Sequence, residues 1–491
     1  MSPQDAPLKI LFVTSELSPL ISTGGLAEVA GSLPRALRAQ GHDVRVIMPC
    51  YRGIPDRYRG EPYCLCEAEL GGQTQYGQMR QSTVPDSDIP LYLIEHEGYF
   101  GREKPYGVGA SEYSDNAERF CFFCLAVLHA VPQLHWQPDV VHCHDWHTAA
   151  LPVFLRTRYE ASPLWGSTPT VFTIHNLSFQ GRYGVDKLPS TGIDVGLFQD
   201  GRIEYRGDIN LLKGAIAFST KINTVSPRYA EEIQTLEYGD GLDGMLRTRA
   251  ADISGILNGV DYDIWDPETD PHIPANYSET DLAGKAACKK ALQATFGLPQ
   301  RDVPLFGILS RLYWQKGLSL AADVLDRLVG MDAQLAVLGT GDPELEARFS
   351  QAAARYPENI GVALRFDVAL SHQVLAGSDF LLMPSRYEPC GLAQMYAMAY
   401  GTVPIVRRTG GLADSVRDLN PVHRKHGNAT GFSFVPMTSQ ALGRAVEEAA
   451  ALFKKNAEFQ KVRRADMAED FSWDRSCQQY VELYREAIAS V

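Results

Sequence analysis

Long basic runs are absent from the sequence, which carries 46 Lys and Arg against 59 Asp and Glu and has a net charge of −13. A nucleic-acid backbone is bound by clustered Lys and Arg, so we expect no nucleic-acid partner. A nucleotide ligand stays compatible with this charge, because a few local cations and backbone amides can hold its phosphates.

Long apolar stretches are also lacking. The closest, CFFCLAVLHAV at 121–131, is shorter than the roughly 18 residues of a membrane-spanning helix. The amino-terminal segment MSPQDAPLK shows neither the basic-then-apolar order of a secretion signal nor the composition of a transit peptide. We therefore expect a cytoplasmic protein with no membrane partner.

Cysteines do not form a disulfide framework, since nine occur in 491 residues without regular spacing. This pattern indicates free thiols in a reducing compartment. Cys121 and Cys124 form a C-x-x-C pair, but they lie in an apolar helical pattern and are interpreted as buried core thiols rather than a redox pair.

The sequence does contain a recurring unit, a short apolar run followed by an amphipathic helix. Residues 8–16 predict a buried strand, 25–40 a helix and 43–49 a second strand, the arrangement of a parallel sheet. Residues 50–115 are less regular and are interpreted as an insertion with loops beside the sheet. Further strands are predicted at 139–145, 169–176 and 221–226.

A polar, proline-bearing segment at 263–284 is typical of a linker. Beyond it a second set of units begins, with a helix predicted at 318–329. Its strands are predicted at 303–312, 333–341, 378–385 and 402–411. The sequence thus predicts an α/β fold with two doubly wound domains, whose strand ends face one deep cleft.

The segment TGGLAE at 23–28 nearly recurs as TGGLAD at 409–414, which predicts matching glycine turns in the two domains. Gly24 and Gly25 fall between a strand and a helix, where backbone amides can bind an anion. A tight structural turn explains the glycines equally well. The segment is neither G-x-G-x-x-G nor a phosphate loop, which disfavours a dinucleotide dehydrogenase and a phosphate-loop ATPase.

Two cations, Arg311 and Lys316, follow the first strand of the second domain in SRLYWQKG. Such a pair can clamp a diphosphate and stabilise it as a leaving group, or it can be two solvated surface charges. Glu388 lies in a turn after a buried strand, and the amides of Cys390, Gly391 and Leu392 are predicted at the start of a helix. A carboxylate beside amides suits a sugar, although Glu388 could also cap the helix.

Polar residues cluster at the ends of two strands in the first domain. HCHDWH contains His142, His144, Asp145 and His147, but it lacks the distant partners of a usual zinc site. We therefore expect no metal, and a cleft edge at which Asp145 binds a hydroxyl. His175 and Asn176 end the strand predicted at 169–176.

Several of these segments together resemble the bacterial glycogen synthases and plant starch synthases, in the family's order and over nearly the whole chain. The segments are TGGLAEV, HDWH, FTIHNLSFQG, TVSPRYAEEI, ILNGVDYDIWDP, SRLYWQKG, SRYEPCGLAQMYAMAYGT and VRRTGGLADSV. The resemblance implies a GT-B fold of two Rossmann-like domains, 1–258 and 259–475, with a final helix at 476–491 joining the first domain.

The implied activity is that of a hexosyltransferase without a cofactor. It would transfer glucose from ADP-glucose to the non-reducing 4-hydroxyl of an α-1,4-glucan, with retention of configuration. Since no carboxylate is assigned as a nucleophile, a front-face path fits, in which the departing phosphate takes the acceptor's proton and fixed dipoles stabilise the transition state. Domain closure would then exclude water.

The resemblance also implies roles for individual residues. Arg311 and Lys316 would hold the diphosphate, Glu388 would grip the glucose hydroxyls, and His175 would lie over the glucose. Asp145 would help to place the glucose or the acceptor. The implied donor-binding residues are Ser22, Thr23, Gly24, Gly25, Asn258, Cys390, Gly391, Leu392 and Gly411. The implied acceptor-binding residues are Glu16, Tyr106 and Asn176.

Ser22 stands where the family has a lysine beside the donor's phosphates or nucleotide. Its presence leaves two alternatives: a catalytically weakened glucan-binding or regulatory homologue, and the same enzyme using UDP-glucose. Tyr396 stands where many related retaining enzymes have a second glutamate, as in the glycogen synthase branch, which argues against a sucrose-type synthase.

Overall fold

The computed structural model of the protein describes residues 6–109 and 111–491. Residues 1–5 lie outside these ranges, and they belong to the segment from which we predict no targeting signal. Ala110, in the predicted insertion, also lies outside them. The chain forms two compact units. The first comprises residues up to Val225, Ala230–Gly259 and Trp473–Val491, and the second comprises Ser226–Tyr229 and Val260–Ser472.

The first unit is built around a mostly parallel sheet. The strands of the whole unit are β1 (Lys9–Val13), β2 (Asp43–Pro49), β3 (Glu61–Leu70), β4 (Gln73–Thr83), β5 (Pro90–Glu95), β6 (Gly107–Val108), β7 (Ser111–Glu112), β8 (Val140–His144), β9 (Thr170–Ile174), β10 (Arg182–Gly184), β11 (Glu204–Tyr205), β12 (Asp208–Asn210), β13 (Lys221–Thr224) and β14 (Ile253–Gly255). Within the described ranges the main sheet has the order β14-β13-β9-β8-β1-β2-β5-β4-β3.

Strands β14 to β5 of this sheet are parallel to their neighbours. Numbered along the chain, these seven strands follow the order 3-2-1-4-5-6-7 of a doubly wound fold, and the order reverses between β1 and β8. In such sheets ligands bind outside the carboxyl ends of the strands at this switch point. The residues after β1 and β8 are therefore the place to look for a site.

The helices between residues 25 and 248 are α1 (Gly25–Ala39), α2 (Glu97–Phe100), α3 (Asn116–Ala130), α4 (Ala150–Leu155), α5 (Leu188–Thr191), α6 (Val195–Gln199), α7 (Leu211–Phe218), α8 (Pro227–Glu232) and α9 (Asp243–Thr248). Helix α1 buries the apolar face that its period predicts, including Leu26, Val29 and Leu33. The helix continues through Pro34 and ends before Gly41, whose φ of +91° suits glycine.

The interpretation of 50–115 as loops beside the sheet is wrong. Strand β5 is a parallel strand of the main sheet, and the β3–β4 hairpin extends the sheet as antiparallel strands. The hairpin turns at Gly71 and Gly72, which have φ of +56° and +74°, as a two-residue type I′ turn requires. Strand β3 buries only Cys66, Ala68 and Leu70, and this weak apolar alternation hid it from the sequence pattern.

Helix α3 and the short turn after it form one helical segment, Asn116–Leu134, of 19 residues. By length and composition it could cross a membrane, although the sequence prediction counted only 121–131. Because 72% of its apolar window is buried inside the protein and core helices pass the same test, the segment is weak evidence of a membrane span.

The second unit contains an all-parallel sheet. Its strands are β15 (Leu305–Leu309), β16 (Gln334–Leu338), β17 (Ile360–Ala363), β18 (Phe380–Met383), β19 (Val403–Arg407) and β20 (Phe432–Phe434). Their order, β17-β16-β15-β18-β19-β20, is the 3-2-1-4-5-6 order of a Rossmann fold. The switch point lies between β15 and β18, which are joined at Phe306 and Phe380.

The helices of the second unit are α10 (Ala283–Thr295), α11 (Leu318–Asp323), α12 (Leu325–Gly330), α13 (Pro343–Arg355), α14 (Val368–Gly377), α15 (Ala393–Ala399), α16 (Gly410–Ser415), α17 (Pro421–His426), α18 (Ser439–Phe453) and α19 (Asn456–Met467). The single helix predicted at 318–329 is two helices that meet at Val324. The last helix, α20 (Trp473–Ala489), belongs to the first unit.

Candidate active site

Glu16, just after β1, holds the first glycine loop in place. Its carboxylate is buried and accepts hydrogen bonds from the backbone N–H of Thr23 at 2.5 Å and from the Thr23 hydroxyl at 2.6 Å. The Tyr106 hydroxyl donates a third hydrogen bond at 2.6 Å. Burial raises the pKa of Glu16, and these hydrogen bonds lower it in part. Through these hydrogen bonds Glu16 and Tyr106 fix the loop, and their place near the acceptor, which the resemblance implies, stays a prediction.

The loop itself is open to solvent, with Ser22, Thr23, Gly24 and Gly25 all exposed. The amide of Gly24, where the sequence predicts an anion site, and the neighbouring amide of Thr23 are both hydrogen-bonded to Glu16. An internal carboxylate therefore occupies the part of the loop that an anionic ligand would otherwise use.

The two TGGLA segments do not form matching turns. Gly24 has an extended φ of −176°, and a Cβ there would have no heavy atom of the described chain within 4 Å. Gly410 has a φ of +45°, and a Cβ there would lie 2.0 Å from the Glu388 carbonyl oxygen. At Gly411 a Cβ would lie 2.0 Å from the Cys390 carbonyl oxygen. The second segment therefore packs beneath the loop that carries Glu388.

Asp145 lies at the end of β8, across the switch point from Glu16. It accepts hydrogen bonds from the backbone N–H groups of His175, at 2.7 Å, and Asn176. Burial raises the pKa of Asp145 to about 7, although these hydrogen bonds oppose the shift. Its φ of +56° and ψ of 179° lie in a region that is strained for residues other than glycine. Asp145 thus holds the peptide groups that follow β9.

The histidines of HCHDWH are buried structural groups. The Tyr484 hydroxyl lies 2.8 Å from His142 Nδ1, and His142 Nε2 lies 2.7 Å from the Thr173 hydroxyl, which in turn donates to Asn223. Burial lowers the pKa values of His142, His144 and His147 well below the usual value. Among the described residues no group of three or more His, Cys, Asp or Glu side chains is placed to hold a metal ion.

His175 follows β9 and remains neutral, because burial lowers its pKa to about 3. Its Nε2 lies 3.0 Å from His144 Nδ1. The Asn176 side chain accepts a hydrogen bond from the Ser178 amide at 3.1 Å, a local turn. Asn258 is also buried, and its Oδ1 has no hydrogen-bond partner within the described ranges.

In the second unit the structure brings Lys316 and Glu388 together at the β15–β18 switch point. Lys316 Nζ lies 2.8 Å from Oε1 and 2.7 Å from Oε2 of Glu388. The Ser385 hydroxyl donates to Oε2 at 2.9 Å. The Glu388 side chain is 7% exposed and that of Lys316 is 23% exposed. The predicted phosphate-binding cation and sugar-binding carboxylate are thus one ion pair.

The position of Lys316 depends on Gly317. Gly317 has a φ of +62°, and a Cβ there would lie 2.0 Å from the Pro384 carbonyl oxygen. Glycine therefore lets the turn that carries Lys316 approach the end of β18. Arg311, by contrast, is exposed, and its guanidinium makes no hydrogen bond or ion pair with any described residue.

The loop after Glu388 is not yet helical at the predicted residues, since α15 begins at Ala393. Gly391 has a φ of +70°, and Leu392 is the N-cap residue. The Gln394 side chain donates to the carbonyl oxygens of Cys390 and Gly391 at 3.2 and 3.0 Å. Sequence reasoning missed Gln394 and Ser385, although both flank EPCGL within three residues.

The comparisons with known proteins point to one family. The family model of the starch synthase catalytic domain matches residues 9–248, and that of glycosyl transferases group 1 matches residues 295–465. The glycogen synthase of Moorella thermoacetica is 44% identical over 485 residues, covering 98% of this chain and 97% of that protein. The glycogen synthase of Geotalea uraniireducens is 45% identical over 488 residues, covering 98% and 99%.

Solved structures give the same result. The catalytic domain of starch synthase IV from Arabidopsis thaliana, bound to ADP and acarbose, matches with a TM-score of 0.90 and 34% identity, covering 99% of this chain and 100% of that one. Sucrose-phosphate synthase from Thermosynechococcus elongatus, at 16% identity and a TM-score of 0.61, shares the fold alone. The resemblance and the GT-B fold inferred from the sequence are confirmed, and the chain belongs to the glycogen and starch synthase family of glycosyltransferases.

Proposed function

We propose that the chain transfers glucose from ADP-glucose to the non-reducing 4-hydroxyl of an α-1,4-glucan, with retention of configuration. The observation that carries this proposal is the Lys316–Glu388 pair at the switch point of the second unit. The starch synthase IV structure with ADP and acarbose supports an adenine donor and a glucan acceptor. Acarbose is an analogue of an α-1,4-glucan oligosaccharide.

The second unit binds the donor in this proposal. Lys316 and the exposed Arg311 hold the diphosphate, and Glu388 accepts hydrogen bonds from glucose hydroxyls, together with the loop of Cys390, Gly391 and Leu392. Because Lys316 Nζ lies within 2.8 Å of Glu388, one cation can contact a phosphate oxygen while it keeps the carboxylate in place. Stabilising the leaving diphosphate is then the main electrostatic contribution. Gly411 acts indirectly, by packing under this loop.

The first unit contributes polar groups. His175 offers a ring nitrogen to a glucose hydroxyl, and Asp145 fixes the peptides of His175 and Asn176. The unpartnered Oδ1 of Asn258 is a ready hydrogen-bond acceptor for a hydroxyl. We assign the exposed loop of Ser22, Thr23, Gly24 and Gly25 to donor binding, as the family resemblance implies, and Glu16 and Tyr106 support this loop.

Retention is explained without a covalent intermediate. The buried carboxylates of Glu16, Asp145 and Glu388 are each engaged in hydrogen bonds with the protein, and we assign none of them as the nucleophile. In the front-face path the oxygen of the acceptor's 4-hydroxyl attacks the anomeric carbon from the side on which the phosphate departs. An oxygen of the departing phosphate takes the proton of that hydroxyl. The glucosyl–phosphate bond breaks and the new glycosidic bond forms, so the charges balance.

One assay tests the proposal. The protein is incubated with glycogen and either ADP-glucose or UDP-glucose, and release of the nucleoside diphosphate is followed. We expect release with ADP-glucose and an α-linked product by NMR. A faster reaction with UDP-glucose would show that UDP-glucose, not ADP-glucose, is the preferred donor. Glycogen binding without release from either donor would support the weakened glucan-binding homologue instead.

Replacing Ser22 with lysine is expected to lower the KM for ADP-glucose. Ser22 is exposed, so a lysine fits without disturbing the core and restores the cation that the family resemblance implies at this position. A hydrogen bond to a charged group contributes about 1.5–3 kcal/mol, which corresponds to a roughly tenfold or larger fall in KM. Initial rates over a range of ADP-glucose concentrations measure the change.

The control is Ser22→Ala, which adds no charge and is expected not to lower the KM but to raise it by about tenfold at most, because it removes at most one neutral hydrogen bond. An unchanged or raised KM in Ser22→Lys would reject a phosphate contact at this position.

A further inference from the structure

His144, one residue before Asp145 at the end of β8, is a fully buried histidine that contacts the proposed catalytic histidine. Its Nδ1 lies 3.0 Å from His175 Nε2. Its other nitrogen, Nε2, is buried and has no hydrogen-bond partner in the part of the chain that the structure describes. This orphaned nitrogen distinguishes the two ways in which the pair can share a proton.

The first arrangement has His144 Nδ1–H donating to His175 Nε2. The second has His175 Nε2–H donating to His144 Nδ1, and a neutral His144 then carries its own proton on Nε2. Both rings are neutral, since burial lowers the pKa of each. The choice is therefore between a bare lone pair and an unpaired N–H at His144 Nε2.

The surroundings of His144 provide no acceptor for an N–H at that position among the described residues. The Phe12 ring centroid lies 4.1 Å from that of His144 and the two rings are tilted by only 33°, so an in-plane N–H does not point at the face of Phe12. The His142 ring is 4.0 Å away, but both of its nitrogens are already hydrogen-bonded, to Tyr484 and Thr173. Orphaned buried N–H groups are rare in proteins, and leaving one unpaired costs about 1–3 kcal/mol.

We propose that His144 is a positioning residue that fixes His175 as the Nδ1–H tautomer, so that His175 presents a hydrogen-bond donor to the substrate. No described residue accepts from His175 Nδ1, which leaves this N–H for an oxygen of the glucosyl group. A hydroxyl that accepts this hydrogen bond keeps its own proton free to donate to another group. The use of that N–H depends on the function proposed above, whereas the tautomer does not.

The test is histidine tautomer NMR on the full-length protein, labelled with ¹⁵N at histidine. Signals of His175 are assigned by their loss in His175→Asn. We expect a protonated Nδ1 and an unprotonated Nε2 on His175 in the wild-type protein. A protonated His175 Nε2 would overturn the proposal. Because this spectrum needs no substrate, its outcome is separate from that of the donor assay, which can fail while the tautomer is as expected.

Two substitutions then test whether His144 is the cause. His144→Asn retains an N–H donor near the Nδ1 position, and is expected to keep the His175 tautomer and kcat/KM within about threefold. His144→Met replaces the donor with a thioether, which can only accept a hydrogen bond, and is expected to move the His175 proton to Nε2 and to lower kcat/KM about tenfold, the loss of one hydrogen bond to substrate. If the two variants show the same His175 spectrum, His144 does not set the tautomer. If His144→Met does not fold, a protonated His175 Nε2 in the wild-type or the His144→Asn spectrum would still overturn the proposal.

Discussion

Glu388→Ala is expected to lower kcat by about 100- to 1,000-fold, the loss that follows removal of one preorganised polar group at a reacting centre. In the structure both carboxylate oxygens of Glu388 accept from Lys316. The substitution therefore removes the proposed acceptor for glucose hydroxyls and also the group that orients Lys316, the proposed phosphate-binding cation. Initial rates at saturating ADP-glucose and glycogen measure the effect.

Lys316→Ala is expected to lower kcat to a similar extent and also to lower the free energy of unfolding. It leaves the buried carboxylate of Glu388 without its cation, and breaking a fully buried pair costs about 3–5 kcal/mol. Lys316 keeps 23% side-chain exposure, so we expect a smaller loss, about 1–3 kcal/mol. Urea unfolding of the variant measures it.

A double variant separates stability from catalysis. Lys316→Ala with Glu388→Ala removes both charges, so it is expected to be more stable than Lys316→Ala alone and still inactive.

Arg348→Ala is the matched control, because Arg348 forms a 2.7 Å pair with Asp323 in the same unit and both side chains are more than a third exposed. We expect it to change neither quantity appreciably. A Lys316→Ala enzyme that keeps its kcat would contradict the assignment.

The fold could be predicted where burial leaves a strong pattern. The β1–α1–β2 unit lies where the sequence predicts it, because β1 and α1 bury continuous or periodic apolar residues. The β3–β4 hairpin could not be predicted in the same way, because β4 has only one buried residue, Met79. Its Gly71–Gly72 turn was the available signal.

The positions of the site residues were predictable from the same logic, but their partners were not. Residues at the carboxyl ends of parallel strands gather at the switch point, which placed Asp145 and Glu388 correctly at strand ends. The hydrogen bond between Tyr484 and His142 joins residues 342 positions apart, and no local pattern announces such a pairing. Packing between distant elements decides it.

The second TGGLA segment, unlike the first, packs against the loop that carries Glu388. Gly411→Ala is expected to destabilise the protein by about 3 kcal/mol or more, at the upper end of overpacking effects. Its Cβ would lie 2.0 Å from the Cys390 carbonyl oxygen and 2.5 Å from the Cys390 Cα, which are backbone atoms that cannot rotate away. The φ of Gly411 is not left-handed, so the effect is purely steric. Because the displaced loop carries Glu388, kcat is expected to fall as well.

Gly24→Ala is the matched control in the first segment. A Cβ at Gly24 meets no heavy atom within 4 Å among the described residues, and the extended φ of −176° is open to any residue. We expect a loss of about 1 kcal/mol or less, the difference between glycine and alanine as an N-cap. Thermal and urea unfolding of both variants make the comparison. Equal stability of the two variants would mean that the second segment does not pack against the Glu388 loop. A loss of stability confined to Gly411→Ala shows that the repeated sequence forms an open loop in one unit and a packed support in the other.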